Sequence, residues 1–166
     1  MEKSFSDKIK SLPKEIFTSE TVSIRPIEDD ADIWYAVVEC KVTPEQEKNV
    51  SPCGFFLGRA YLNPRNYVPC VICKSDGERI GCITLETWIE ENSGFCWSYY
   101  IDRRFQGQGY GRAAAELAVR ILKAADPCMP VKLAVVPDNI KAQELYKSLG
   151  FEKSDEMDGD DWVYVL

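Results

Sequence analysis

Hydrophobic and polar positions divide the chain into two regimes. In the first, Thr21 to Pro26 (TVSIRP) alternates apolar and polar residues, as a half-buried strand does. Val68 to Lys74 and Arg79 to Trp88 are apolar runs joined by Ser75-Asp76-Gly77-Glu78, which predicts a hairpin. Glu90 to Gly94 reads as a further turn, and Phe95 to Ile101 as the next strand. Between the first two strands, Ile33, Trp34, Val37, Val38 and Lys41 recur at helical spacing behind a capping Asp29 or Asp30. Pro44 starts a short helix with Glu45 and Glu47 in its favourable first turn. Residues 51–66 read as a loop with a helical piece, and residues 1–20 as a short helix or arm.

After residue 101 the period lengthens. Ala114, Leu117, Ala118, Ile121, Leu122 and Ala125 form one apolar stripe of a helix that Asp126-Pro127 ends. Val131 to Val136 is a buried strand. Asp138-Asn139 caps a second helix, with Ala142, Leu145, Tyr146 and Leu149 on its buried face and Gly150 as its stop. Phe151 opens a strand or link, Asp155 to Asp161 forms an acidic turn, and Trp162 to Leu166 a last strand. The order is an antiparallel meander followed by β-α-β-α-β. It predicts one α/β domain across 166 residues, with no internal repeat or linker.

Charge and cysteine content narrow the class. The formal net charge is −7, with 27 acidic against 20 basic residues. That argues against a nucleic-acid binder and leans toward a cationic substrate or partner. No apolar run is long enough to span a membrane. Met1 to Lys10 has no signal-peptide core, and with seven cysteines this leads us to expect reduced thiols in a cytoplasm. Cys70 and Cys73 form a CxxC, but on a strand residues three apart face opposite sides. The chain has no histidine. No metal site is therefore expected.

The stretch with the most chemistry is Gln106-Gly107-Gln108-Gly109-Tyr110-Gly111-Arg112, between the strand ending at Ile101 and the alanine-rich helix. A bare loop leading into a helix gathers unpartnered N–H groups around one point, and the helix dipole favours an anion there. A dinucleotide fold would carry such a loop after its first strand, and a Walker loop would end in Gly-Lys-Ser/Thr. Neither condition is met. A tight connection would not need three glycines.

This segment resembles the Gln/Arg-x-x-Gly-x-Gly/Ala signature of the GCN5-related N-acetyltransferases (GNAT). Asn139-Ile140-Lys141-Ala142-Gln143-Glu144-Leu145-Tyr146-Lys147-Ser148-Leu149-Gly150-Phe151 resembles that family's second signature, in its usual order and separation. The similarity runs over roughly residues 21–166. It implies a GNAT fold, a mostly antiparallel central sheet flanked by helices, with 21–94 as the acceptor half and 95–166 as the acetyl-CoA half. It also implies a possible homodimer.

For the site, the resemblance implies that the amides of Gln106, Gly107, Gln108, Gly109, Tyr110, Gly111 and Arg112 hold the pyrophosphate of acetyl-CoA. It implies that the strand end Tyr100, Ile101 and Asp102 pairs with the pantetheine arm, that Asn139 reaches toward it, and that Tyr146 lies beside the thioester sulfur as general acid. Arg103, Arg104 and Arg112 add positive charge next to the loop.

An aliphatic amine with pKa ~10.4 is almost wholly protonated at pH 7, so its attack needs a base or desolvation. Without histidine the chain must use a carboxylate, a water chain or both, and the carboxylate candidates are Glu86 first and then Glu39, Glu28 and Glu45. The strand Phe95 to Ile101 carries no acid where many relatives place one. Ile24-Arg25-Pro26, Val42 to Glu47 and Phe56 to Tyr61 resemble the acceptor half of bacterial spermine/spermidine acetyltransferases, and Trp34, Phe55, Phe56, Tyr61 and Trp97 are candidates to pack on a polyamine. A protein, amino-sugar or antibiotic amine as acceptor, or a non-catalytic acyl-CoA-binding module, are the alternatives.

Overall fold

The polypeptide is described by a computed structural model over residues 3–88 and 93–166. Strands β1 (Val22–Pro26), β2 (Tyr67–Lys74), β3 (Arg79–Thr87) and β4 (Phe95–Ile101) form an antiparallel sheet in chain order. The β2–β3 turn falls at the expected Asp76-Gly77, with Gly77 at φ 90°. The turn expected at Glu90 to Gly94 lies largely outside the described residues.

Alternation along β4 sorts its side chains. Phe95, Trp97, Tyr99 and Ile101 join the main core beneath helix α4 (Tyr110–Ala125), while Cys96 and Tyr100 pack on the opposite side. The predicted stripe Ala114, Leu117, Ala118, Ile121 and Leu122 is buried against this sheet. Helix α1 (Phe5–Lys10) closes the same layer through Phe5 and Ile9, with the Phe5 and Phe95 rings 4.9 Å apart.

The opposite layer departs from the sequence reading. Helix α2 (Asp30–Trp34) runs into a π-helical turn, Tyr35–Glu39, and is followed by a 3-10 turn, Pro44–Asn49, and helix α3 (Cys53–Leu62). The apolar stripe Ile33, Trp34, Val37 and Val38 is exposed, Trp34 by 59%, whereas Tyr35 and Ala36 are buried. The cause is Asp32, a fully buried carboxylate. It accepts from Arg25 Nη1 at 2.6 Å, Arg25 Nη2 at 2.8 Å, Arg79 Nε at 2.7 Å and the Glu28 N–H at 3.1 Å. A buried charge needs such pairing, and the pairing fixes the rotation of α2 against β1 and β3. Burial pushes the Asp32 carboxyl up, but the two guanidiniums and the Glu28 N–H outweigh it and hold it well below the ordinary value.

A second antiparallel sheet follows, in the order β5-β7-β6, from β5 (Lys132–Val135), β6 (Glu152–Asp158) and β7 (Asp161–Val165). Helix α5 (Ile140–Ser148) connects β5 to β6. The stretch expected as an acidic turn, Asp155 to Asp161, is mostly strand, and the turn contracts to Gly159-Asp160. Strand β6 lies at the sheet edge, pairs only with β7 and is largely exposed, so nothing selects an apolar alternation there.

The two sheets meet at a parallel bridge between Phe95 and Val131, where the Phe95 N–H donates to Pro130 O at 2.8 Å. Glycine at 94 permits the approach, since a Cβ there would lie 3.1 Å from Pro130 O. Past this junction β4 and β5 diverge. Cys70 and Cys73 do face opposite sides, one in each core. No metal-holding cluster of acids and cysteines occurs among the described residues, and no helix there is long and apolar enough to cross a membrane.

Candidate active site

The divergence of β4 from β5 opens a cleft of about 610 Å³. Its walls bring together seven of the coenzyme and catalytic candidates, Tyr100, Ile101, Gln106, Gly107, Gly111, Asn139 and Tyr146, with Trp97 from the acceptor candidates. The glycine loop forms one end. Gly107 and Gly109 have φ of 74° and 87°, and a Cβ at either would meet nothing within 4 Å, so the loop presents bare backbone. The first intrahelical bond of α4 is Ala113 N–H to Gly109 O at 3.1 Å. The N–H groups of Tyr110, Gly111 and Arg112 therefore have no carbonyl within the helix.

Other candidates are engaged elsewhere. Asp102 does not line the cleft. It is buried and accepts from Arg104 N, Nε and Nη2 at 3.0, 3.0 and 2.6 Å, capping the turn Arg103–Phe105. Burial pushes its carboxyl up, but Arg104's hydrogen bonds and charge hold it below the ordinary value. Arg112 binds Ser148 Oγ at 2.6 Å and Glu116 at 3.0 Å. Gln108, Gly109, Tyr110, Arg104 and Arg112 lie outside the cleft wall. Asn139 lines the cleft and caps α5, its side-chain oxygen accepting from the Ala142 N–H at 3.3 Å.

Tyr146 is 8% exposed, wedged between Trp97 and Phe151 with ring centroids 6.1 and 5.7 Å away. Burial pushes its phenol well above the ordinary value, which neighbouring Trp97 and Tyr99 offset only in part. The indole N–H of Trp97 is buried beside the Tyr146 hydroxyl, close enough to favour its ionised form but without a well-formed hydrogen bond.

On the opposite side of the sheet, Glu86 is 6% exposed and accepts from Ser98 Oγ at 3.0 Å. Burial lifts its carboxyl to about 7, against the pull of the Ser98 hydrogen bond and the charge of Arg59. Glu86 itself does not line the cleft; Ser98 does. The remaining base candidates, Glu28, Glu39 and Glu45, are exposed and away from the cleft.

Sequence reasoning missed Ser98, although it is the one small polar residue in the run Phe95 to Ile101. It also missed Asp158 and Asp161, which sit directly opposite each other in the β6–β7 register and line the cleft. Burial, then Asp158 and Asp160, push the Asp161 carboxyl up. Neither Asp158 nor Asp161 has an ion-pair partner among the described residues.

Residues 30–151 match the family model described as the acetyltransferase (GNAT) family. A spermine/spermidine N(1)-acetyltransferase of Bacillus subtilis is 30% identical over 71 residues, 42% of this chain and 47% of the relative. The chain thus matches about half the length of that curated relative. Among solved structures, an acetyltransferase from Agrobacterium tumefaciens superposes with a TM-score of 0.65 at 17% identity, covering 90% of this chain and 92% of the other. A chimeric spermidine N-acetyltransferase from Vibrio cholerae does so with a TM-score of 0.61 at 19% identity, covering 89% and 93%.

Proposed function

The chain belongs to the acetyltransferase (GNAT) family, and from that premise we propose that it moves an acetyl group from acetyl-CoA to a cationic primary amine, a polyamine of the spermidine type. The observation that carries this reading is the composition of one cleft. Gln106, Gly107 and, from the first turn of α4, Gly111 line one part of it. Tyr146, Ser98 and the Asp158–Asp161 pair line the rest.

Acetyl-CoA supplies an activated acyl group and a pyrophosphate by which it is held. The loop from Gln106 to Gly111 suits that pyrophosphate because Gly107 and Gly109 carry no side chain and the first N–H groups of α4 have no carbonyl within the helix. Asn139, at the N-terminus of α5, lines the cleft beyond the loop. Asp158 and Asp161, two unpaired carboxylates placed face to face, are relieved by an arriving cation. Ser98 Oγ takes a proton from the ammonium as it passes its own to Glu86, whose carboxylate is poised near neutrality for the task. As the amine nitrogen bonds to the acetyl carbon and the C–S bond breaks, Tyr146 gives its hydroxyl proton to the departing sulfur, and the second proton shed by that nitrogen restores the phenol.

The polyamine preference draws on the Bacillus subtilis similarity over 71 residues and on the acidic hairpin. Free CoA release with spermidine, a lysine peptide and an aminoglycoside tests it. Spermidine is expected to give at least tenfold higher kcat/KM than either competitor. Equal rates, or a faster aminoglycoside, would refute the polyamine assignment and leave the acetyltransferase in place.

A further inference from the structure

The glycine loop is expensive to order, yet it is held in place from outside the coenzyme half. Gln106, at its head, donates from Nε2 to Ile101 O at 2.8 Å, which folds the loop back on the end of β4. The same side chain forms a reciprocal amide pair with Gln46. Gln46 Nε2 donates to Gln106 Oε1 at 3.0 Å, and Gln106 Nε2 donates to Gln46 Oε1 at 3.0 Å. Gln46 lies sixty residues earlier, in the 3-10 turn Pro44–Asn49. Its own position is fixed, because its Oε1 also accepts from the Thr43 N–H at 3.1 Å in a capping box. Gln46, Asn49 and Val50 from this segment line the cleft together with Gln106 and Gly107.

We propose that Gln46 is a positioning residue for coenzyme binding: it pre-organises the glycine loop through Gln106, and it ties the acceptor-side segment 43–50 to the phosphate-binding end of the cleft. The loop glycines alone cannot do this, since Gly107 and Gly109 carry no side chain to anchor the loop and border open space on the side where one would project. A matched pair of side-chain amides, each donating and each accepting, supplies the restraint before any ligand arrives. Removing it makes the coenzyme order the loop on binding, which lowers affinity and leaves the reacting groups untouched.

The proposal rests on the coenzyme reading above, and the test separates the two. Gln46→Glu keeps an acceptor for Thr43 and for Gln106 Nε2, so the cap survives, but it sets an oxygen against Gln106 Oε1. We expect acetyl-CoA affinity, measured by calorimetry, to fall about tenfold, with kcat at saturation within about twofold and melting temperature little changed. Gln46→Glu combined with Gln106→Arg replaces the amide pair by an ion pair and is expected to recover binding to within about threefold of the wild type. Unaltered affinity in Gln46→Glu, or no recovery in the double variant, overturns this inference alone. A wild-type protein that binds no acetyl-CoA overturns the coenzyme reading and this inference with it.

Discussion

Replacing Tyr146 with phenylalanine is expected to lower kcat about a hundredfold while acetyl-CoA affinity stays within about twofold. The ring is packed by Trp97 and Phe151, and phenylalanine keeps those contacts. The hydroxyl is what is lost. Burial raises its pKa further, so the phenol stays protonated at working pH and is available to donate. A thiolate leaving without that donor forfeits the factor of 10²–10⁴ that a positioned acid supplies. Steady-state kinetics beside a coenzyme titration check this. A variant that keeps wild-type kcat removes Tyr146 from the reaction and makes it a core residue.

The second large effect belongs to Glu86. The wild-type kcat/KM is expected to rise with pH through about 7, the value to which burial lifts the Glu86 carboxyl. In Glu86→Gln that limb disappears, and activity drops about a hundredfold. Stability should move the other way. A carboxyl whose folded pKa is raised binds its proton more tightly in the native state. Its favourable contribution is complete below the unfolded value of 4.5 and is lost as pH rises through about 7. That displacement is worth about 3 kcal/mol. Glu86→Gln is therefore expected to be more stable than the wild type at pH 8 by up to that amount, and equal to it near pH 4. Urea unfolding at the two pH values reads this directly. A variant that unfolds earlier at pH 8 and retains the pH limb would show that Glu86 is an ordinary structural carboxylate.

Much of the fold was legible because local rules and tertiary packing agree there. The β2–β3 hairpin, β4, the stripe of α4 and the cap of α5 each follow from alternation, period and turn chemistry. The errors have one physical origin: a partner that a linear reading does not reveal. The apolar stripe from Ile33 to Val38 points outward because Arg25 and Arg79 draw Asp32 inward. Strand β6 escaped notice because its acidic residues owe their conformation to β7. The site divides the same way. The glycine loop announces itself by composition, and Asn139 by the resemblance of its segment to the family's second signature. The Ser98–Glu86 link, the Gln46–Gln106 pair and the opposed Asp158 and Asp161 exist only once strands and turns distant in the chain are set side by side.

The account stands on the glycine loop as the site of the coenzyme's pyrophosphate. Calorimetric titration of acetyl-CoA into the wild type and into Gly107→Val tests it most directly. Gly107 has φ 74°, which valine resists, and a side chain there enters open space at the cleft wall where the ligand would lie. The expected result is saturable, one-to-one binding by the wild type and affinity at least thirtyfold weaker in the variant, with both proteins folded. Equal affinity in the two proteins would place the pyrophosphate elsewhere and contradict the account.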